Sequence, residues 1–193
     1  MGAFSKQQLR QQYLQKRQQL SVDECVELSK DLLHQFQKLN LTGIYCIHLF
    51  LPMKHNNEPD TYLIRDWLKT NHPDIRVVFP KTDFTMFTMH SFADDANLQL
   101  AENKYGITEP IGGDEVAATE IDMVLLPMLI FDKQGYRVGY GKGFYDRFCA
   151  QCKPGTRFVG LSLFEPVDRI DDVNEYDVRM HSCLTPNERL DWH

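Results

Sequence analysis

Gly43–Leu51, GIYCIHLFL, is a short and almost wholly apolar run rich in β-branched and aromatic residues. Such a run predicts a strand buried on both faces. Pro59 then opens a helical stretch through DTYLIRDWLKTN, and DIRVVFP (Asp74–Pro80) reads as the next strand. Strand, helix and strand with a crossover of this length predict a parallel βαβ unit. A second such unit follows, around IDMVLLPMLIF (Ile121–Phe131), a strand that stops at Pro127, and a helical GFYDRFCAQC (Gly143–Cys152). TRFVGLSL and HSCLT are the last two strand candidates. The expected fold is α/β, a three-layer, mainly parallel (Rossmann-like) sheet with helices on both faces.

Working outward from this frame, Ser5 can cap a helix through KQQLRQQYLQKRQQL and Ser21 a second through VDECVELSKDLLHQFQKL. The second carries an apolar stripe through Val22, Cys25 or Val26, Leu32, Leu33 and Phe36. The first is far more polar and is expected to fold against a site. MFTMHSF (Met86–Phe92) reads as a strand and YGITEPIGGDE as a loop marked by Pro110, Gly112 and Gly113.

With 193 residues the chain suits one domain, residues 1–193, with the helical segment 5–38 packed on its core. A net charge of −6 excludes whole-molecule attraction to nucleic acid or anionic membrane. The N-terminus lacks the apolar core of a signal peptide, and no apolar run reaches the roughly 18 residues of a membrane helix. Five scattered cysteines suit reduced thiols. A cytoplasmic monomer is expected.

The chemistry concentrates in Phe131–Arg147, FDKQGYRVGYGKGFYDR. Gly139, Gly141 and Gly143 alternate with Tyr140 and Lys142, so the backbone can turn with positive φ and approach a ligand closely. Arg137 and Lys142 add local positive charge. The spacing is neither that of a P-loop nor of the dinucleotide fingerprint. On composition, a phosphate cradle and a structural hairpin both fit. Asp146, one turn into the following helix, can hold a hard cation against a phosphate or simply pair with Arg147 or Lys142.

PMLIFDKQGYRVGYGKGFYDR resembles the long signature of the 5-formyltetrahydrofolate cyclo-ligase family, through Pro127, Phe131-Asp132, Gly135, Arg137-Val138-Gly139, Gly141, Gly143 and Phe144-Tyr145-Asp146. Weaker matches extend it over nearly the whole chain. They are the Lys6-x-x-x-Arg10 spacing, FLPM with Glu58 and Thr61, YGITEP, and Asp177 in NEYDVRMHSCLTP. The resemblance implies an ATP- and magnesium-dependent ligase that converts 5-formyltetrahydrofolate to 5,10-methenyltetrahydrofolate. It implies ATP binding by Lys6, Arg10, Arg137, Gly139, Tyr140, Gly141, Lys142, Gly143, Phe144 and Tyr145. Folate would meet Leu51, Met53, Glu58, Tyr140 and Tyr145, magnesium would meet Asp146 and Asp177, and Arg137, Lys142 and Tyr145 would be catalytic. The partners would be these small molecules, with no nucleic acid and no membrane. Phe144 stands where a tyrosine is common, which implies packing there; Met128, Tyr176 and the longer KHNNEP loop also depart from the pattern.

Other readings of the same residues are a sugar-phosphate isomerase or CoA-transferase-like enzyme of similar architecture, and a silent folate or nucleotide-binding module. Cys149-x-x-Cys152 lacks the second ligand pair of a zinc site and reads as two reduced helix cysteines.

Overall fold

A computed structural model describes residues 4–103 and 106–192. The chain begins with α1 (Lys6–Gln18) and α2 (Val22–Phe36), then forms β1 (Cys46–His48), α3 (Thr61–Asn71) and β2 (Arg76–Asp83). The strands β3 (Thr88–Ala93), β4 (Gln99–Glu102), β5 (Thr108–Gly112), β6 (Glu115–Val116) and β7 (Met123–Pro127) follow. A small ribbon of β8 (Ile130–Phe131) and β9 (Arg137–Val138) precedes α4 (Phe144–Cys149), and β10 (Arg157–Leu161), β11 (Ser182–Leu184) and β12 (Arg189–Asp191) complete the chain.

The main sheet has the order β12-β11-β10-β7-β1-β2-β3-β6. Its five central strands, β11 to β2, are parallel, and β12, β3 and β6 add antiparallel margins. Both expected βαβ units are present, β1-α3-β2 and β7-α4-β10. Residues of one strand alternate between two cores, which is why a central strand reads as unbroken apolar sequence. Val77 and Phe79 pack with Leu32, Phe36, Ile64 and Leu68 of α2 and α3, whereas Val78 packs with Phe148 and Cys149 of α4. Helices thus cover both faces, in three layers.

Both N-terminal helices start with a capping box, Ser5 with Gln8 and Ser21 with Glu24, in which hydroxyl and side-chain oxygen satisfy backbone donors reciprocally. Val22 and Val26 of α2 are exposed, so its buried stripe is narrower than the sequence suggests. The polar α1 nevertheless buries Leu9, Tyr13 and Arg17, four residues apart, the first two against Leu129, Ile130 and Val138. TEPIG of the expected loop is strand β5 paired with β4; Pro110 is tolerated because this ribbon has only one partner strand to satisfy. The strand over Ile121–Phe131 stops at Pro127 as expected, and Ile130–Phe131 beyond it forms β8, which pairs with β9.

Candidate active site

The carboxyl ends of β1, β2 and β7 and the loop after β9 enclose a cleft of about 280 Å³. This is where loops of a parallel sheet converge to bind ligands. Its lining includes Leu51, Met53 and Glu58 from the segment after β1, and Arg137, Gly139, Tyr140, Lys142, Gly143, Phe144, Tyr145 and Asp146 from the glycine-rich stretch.

The glycine-rich stretch contains both structures that its composition allowed. Its first part is the β8-β9 hairpin, and Gly139–Gly143 is an open loop leading into α4, where Gly143 caps the helix with φ +66°. Arg10 of α1 lies directly over this loop. Its Nε donates to the Gly139 carbonyl at 2.9 Å, and a Cβ on Gly141, whose φ is +86°, would stand 2.9 Å from Arg10 Cζ. Gly141 is therefore favoured by its backbone conformation, and any side chain there would also have to push the Arg10 guanidinium aside.

Asp146 pairs with neither Arg147 nor Lys142. Its Oδ1 accepts Arg137 Nη2 at 2.6 Å and the Val178 N–H at 3.2 Å, while Arg137 Nη1 donates to the Val178 carbonyl at 2.7 Å. Oδ2 has no partner among the described residues. Asp177, adjacent to Val178, pairs with Lys6 and accepts the Asn174 N–H at 2.7 Å. Lys6 and Asp177 stand beside the cleft and not in its lining, joined to it through Val178. Among the described residues no three His, Cys, Asp or Glu side chains gather as a ready-made metal centre.

At the other wall, Glu58 Oε2 accepts the Met53 N–H and Oε1 the Tyr140 hydroxyl, each at 2.8 Å. Burial raises the Glu58 pKa, opposed by these two hydrogen bonds. The Tyr140 hydroxyl pKa is also raised, first by burial and then by the Glu58 charge. Tyr145 is likewise held protonated by burial. Phe144 packs on Phe84 and Phe87 at ring distances of 5.3 and 6.0 Å, as its missing hydroxyl implied. Cys149 and Cys152 are free thiols raised by burial to about 12 and about 11, which leaves them little thiolate.

Residues 3–186 match the model of the 5-formyltetrahydrofolate cyclo-ligase family. The chain belongs to this family. It is 30% identical to the 5-formyltetrahydrofolate cyclo-ligase of Mycoplasma pneumoniae, over 92% of this chain and 96% of that one. The mouse cyclo-ligase is 30% identical over 72% and 71%. The solved 5,10-methenyltetrahydrofolate synthetase of M. pneumoniae superposes with a TM-score of 0.75 at 25% identity, covering 95% of this chain and 99% of that one. That of Aquifex aeolicus gives 0.78 at 26%, covering 96% and 92%. Cyclo-ligases are ligases, so membership puts the chain in that enzyme class and removes the isomerase and transferase readings.

Two buried polar residues beside the cleft escaped the sequence reading. Arg17 is fully buried and donates to the Met128 carbonyl and, at 3.3 Å, to the Tyr140 oxygen, while its Nε has no partner among the described residues. The Leu9-Tyr13-Arg17 spacing was a usable signal. His48 is the polar exception in an otherwise apolar strand; its Nε2 lies 3.4 Å from the Tyr145 hydroxyl.

Proposed function

We propose that this chain converts 5-formyltetrahydrofolate to 5,10-methenyltetrahydrofolate with ATP and magnesium, releasing ADP and phosphate. The observation that supports it is the single cleft in which the glycine loop, Arg137 and Asp146 face Leu51, Met53 and Glu58. A formamide oxygen is a poor leaving group. In this reaction it attacks the γ-phosphorus and ADP departs; folate N10 then attacks the activated carbon, phosphate leaves with the C–O electron pair, and the N10 proton is lost. None of these steps needs a protein nucleophile, so positioning and charge stabilisation are the protein's part.

In this reading Lys6, Arg10, Arg137 and Lys142 neutralise the phosphates, and the backbone of Gly139, Gly141 and Gly143 closes on them beside Tyr140 and Phe144. Glu58 accepts hydrogen bonds from the pterin edge, Leu51 and Met53 form its apolar wall, and Tyr145 sets its hydroxyl near the formyl group. Arg137, Lys142 and Tyr145 are the catalytic side chains.

The open oxygen of Asp146, with Asp177 nearby, suits magnesium, a hard cation that keeps few protein ligands and takes the rest from water and phosphate. Bound there it would offset phosphate charge as the phosphoryl group transfers. We extend the reading to one working unit over residues 1–193, a cytoplasmic monomer whose free thiols suit a reducing compartment. Among the described residues no helix is long and apolar enough to cross a membrane.

Purified protein with 5-formyltetrahydrofolate and MgATP should show the ultraviolet absorbance of the methenyl product rising, with none formed when ATP is omitted. Absence of product in both mixtures would overturn the proposal.

A further inference from the structure

We propose that His48 is a positioning residue that turns the Tyr145 hydroxyl into a hydrogen-bond donor aimed into the cleft. The inference rests on the reading of Tyr145 above. His48 sits in β1 with no solvent exposure, beneath the cleft floor. Its ring is held by Phe148, 4.7 Å away, and stands edge-on to Tyr145 at 5.8 Å. Nδ1 lies 3.1 Å from Ser91 Oγ and Nε2 lies 3.4 Å from the Tyr145 oxygen.

Ser91 of β3 is itself buried, and its hydroxyl has His48 Nδ1 as its one partner among the described residues. Two tautomers of the neutral ring are conceivable. If Nδ1 carried the proton, it would donate to Ser91 and leave the serine O–H buried without an acceptor, which is costly. If Nε2 carries it, the Ser91 O–H donates to Nδ1 and Nε2–H donates to the Tyr145 oxygen, so the donors of Ser91 and His48 are both satisfied. The second arrangement also leaves the Tyr145 O–H free to point at bound substrate. Burial keeps the ring neutral, which this arrangement requires.

A donor at that place acts when charge develops. As the C–O bond breaks and phosphate leaves with the electron pair, a fixed O–H beside the departing oxygen stabilises it more than the ground state. A tyrosine free to rotate would lose that selectivity.

The test is a double-mutant cycle by steady-state kinetics with the full chain, MgATP and 5-formyltetrahydrofolate. His48→Leu should lower kcat about tenfold with KM for both substrates within about twofold, as expected when a transition-state interaction is lost. His48→Gln, whose amide N–H can reach the tyrosine oxygen, should recover kcat to within about threefold of the parent. In a Tyr145→Phe background His48→Leu should have no further effect on kcat. Ser91→Ala leaves the ring in place but frees the tautomer, and should lower kcat about threefold; it decides the matter if His48→Leu does not fold. An equal loss from His48→Leu with and without the Tyr145 hydroxyl would overturn the inference, as would full activity in both His48→Leu and Ser91→Ala. A parent protein that makes no methenyl product overturns the proposed function instead.

Discussion

Asp146 shows how one carboxylate serves two partners. Its Oδ1 is committed to Arg137 and the Val178 N–H, while Oδ2 has no partner among the described residues. Asp146→Asn keeps an oxygen for Arg137 and removes the charge that magnesium requires. We expect it to lower kcat about 100-fold, with an unchanged far-ultraviolet circular dichroism spectrum; activity equal to the parent's would refute the proposed magnesium role of Asp146. His48 makes a different prediction, about acid stability. Its folded ring titrates at about 3 and its unfolded ring near 6.5, so between these values the unfolded chain binds the extra proton and acid favours unfolding. This one residue costs about 2 kcal/mol on going from pH 7 to pH 5, the slope nearing about 1.4 kcal/mol per unit once the unfolded ring is protonated. Urea unfolding at pH 7 and pH 5 should therefore show a smaller acid loss in His48→Gln than in the parent, and equal losses would refute the assignment. Neither role was readable from spacing. Asp146 was expected to pair locally or bind metal, and its Arg137 partner comes from a strand edge that only folding brings near.

The two N-terminal helices share one start signal and use it differently. Ser5 begins the helix that carries Arg10 to the glycine loop and Lys6 to Asp177, whereas Ser21 begins α2, which packs on the sheet opposite α4. Removing a cap hydroxyl costs about 1 kcal/mol. Ser5→Ala should fray the turn bearing Lys6 and raise KM for MgATP several-fold, with kcat little changed. Ser21→Ala should lower global stability by about 1 kcal/mol in urea unfolding and leave KM for MgATP alone. A KM effect of equal size in both variants would separate α1 from the site. The caps, the strand of β7 and the helix of α4 were legible because they depend on neighbours in sequence. The β4-β5 ribbon was not, since Pro110 with its two glycines reads as a loop until a pairing partner is known, and the β8-β9 stretch fitted a hairpin and a phosphate cradle alike.

The whole molecule gathers its site from both ends of the chain. Lys6 pairs with Asp177 across 171 residues and Arg10 reaches Gly139 across 129. A ligand held by such distant parts binds the folded chain and not the unfolded one, so it stabilises the entire fold. MgATP at about 100 times its Kd should raise the unfolding free energy by about 2.7 kcal/mol. Chelating the magnesium with EDTA while keeping ATP should remove most of that gain, in calorimetry or thermal denaturation followed by circular dichroism; an equal gain with EDTA present would exclude a role for magnesium in nucleotide binding. The sequence by itself determined the parallel α/β frame, the glycine loop and its family signature, because apolar period, turn chemistry and motif spacing are local. Tertiary structure alone decided that Asp146 answers to Arg137 and Val178, that the buried Arg17 and His48 meet the hydroxyls of Tyr140 and Tyr145, and that Arg10 passes over Gly141. Those pairings depend on which strand edges and helices meet, and burial then fixes which polar groups must find each other.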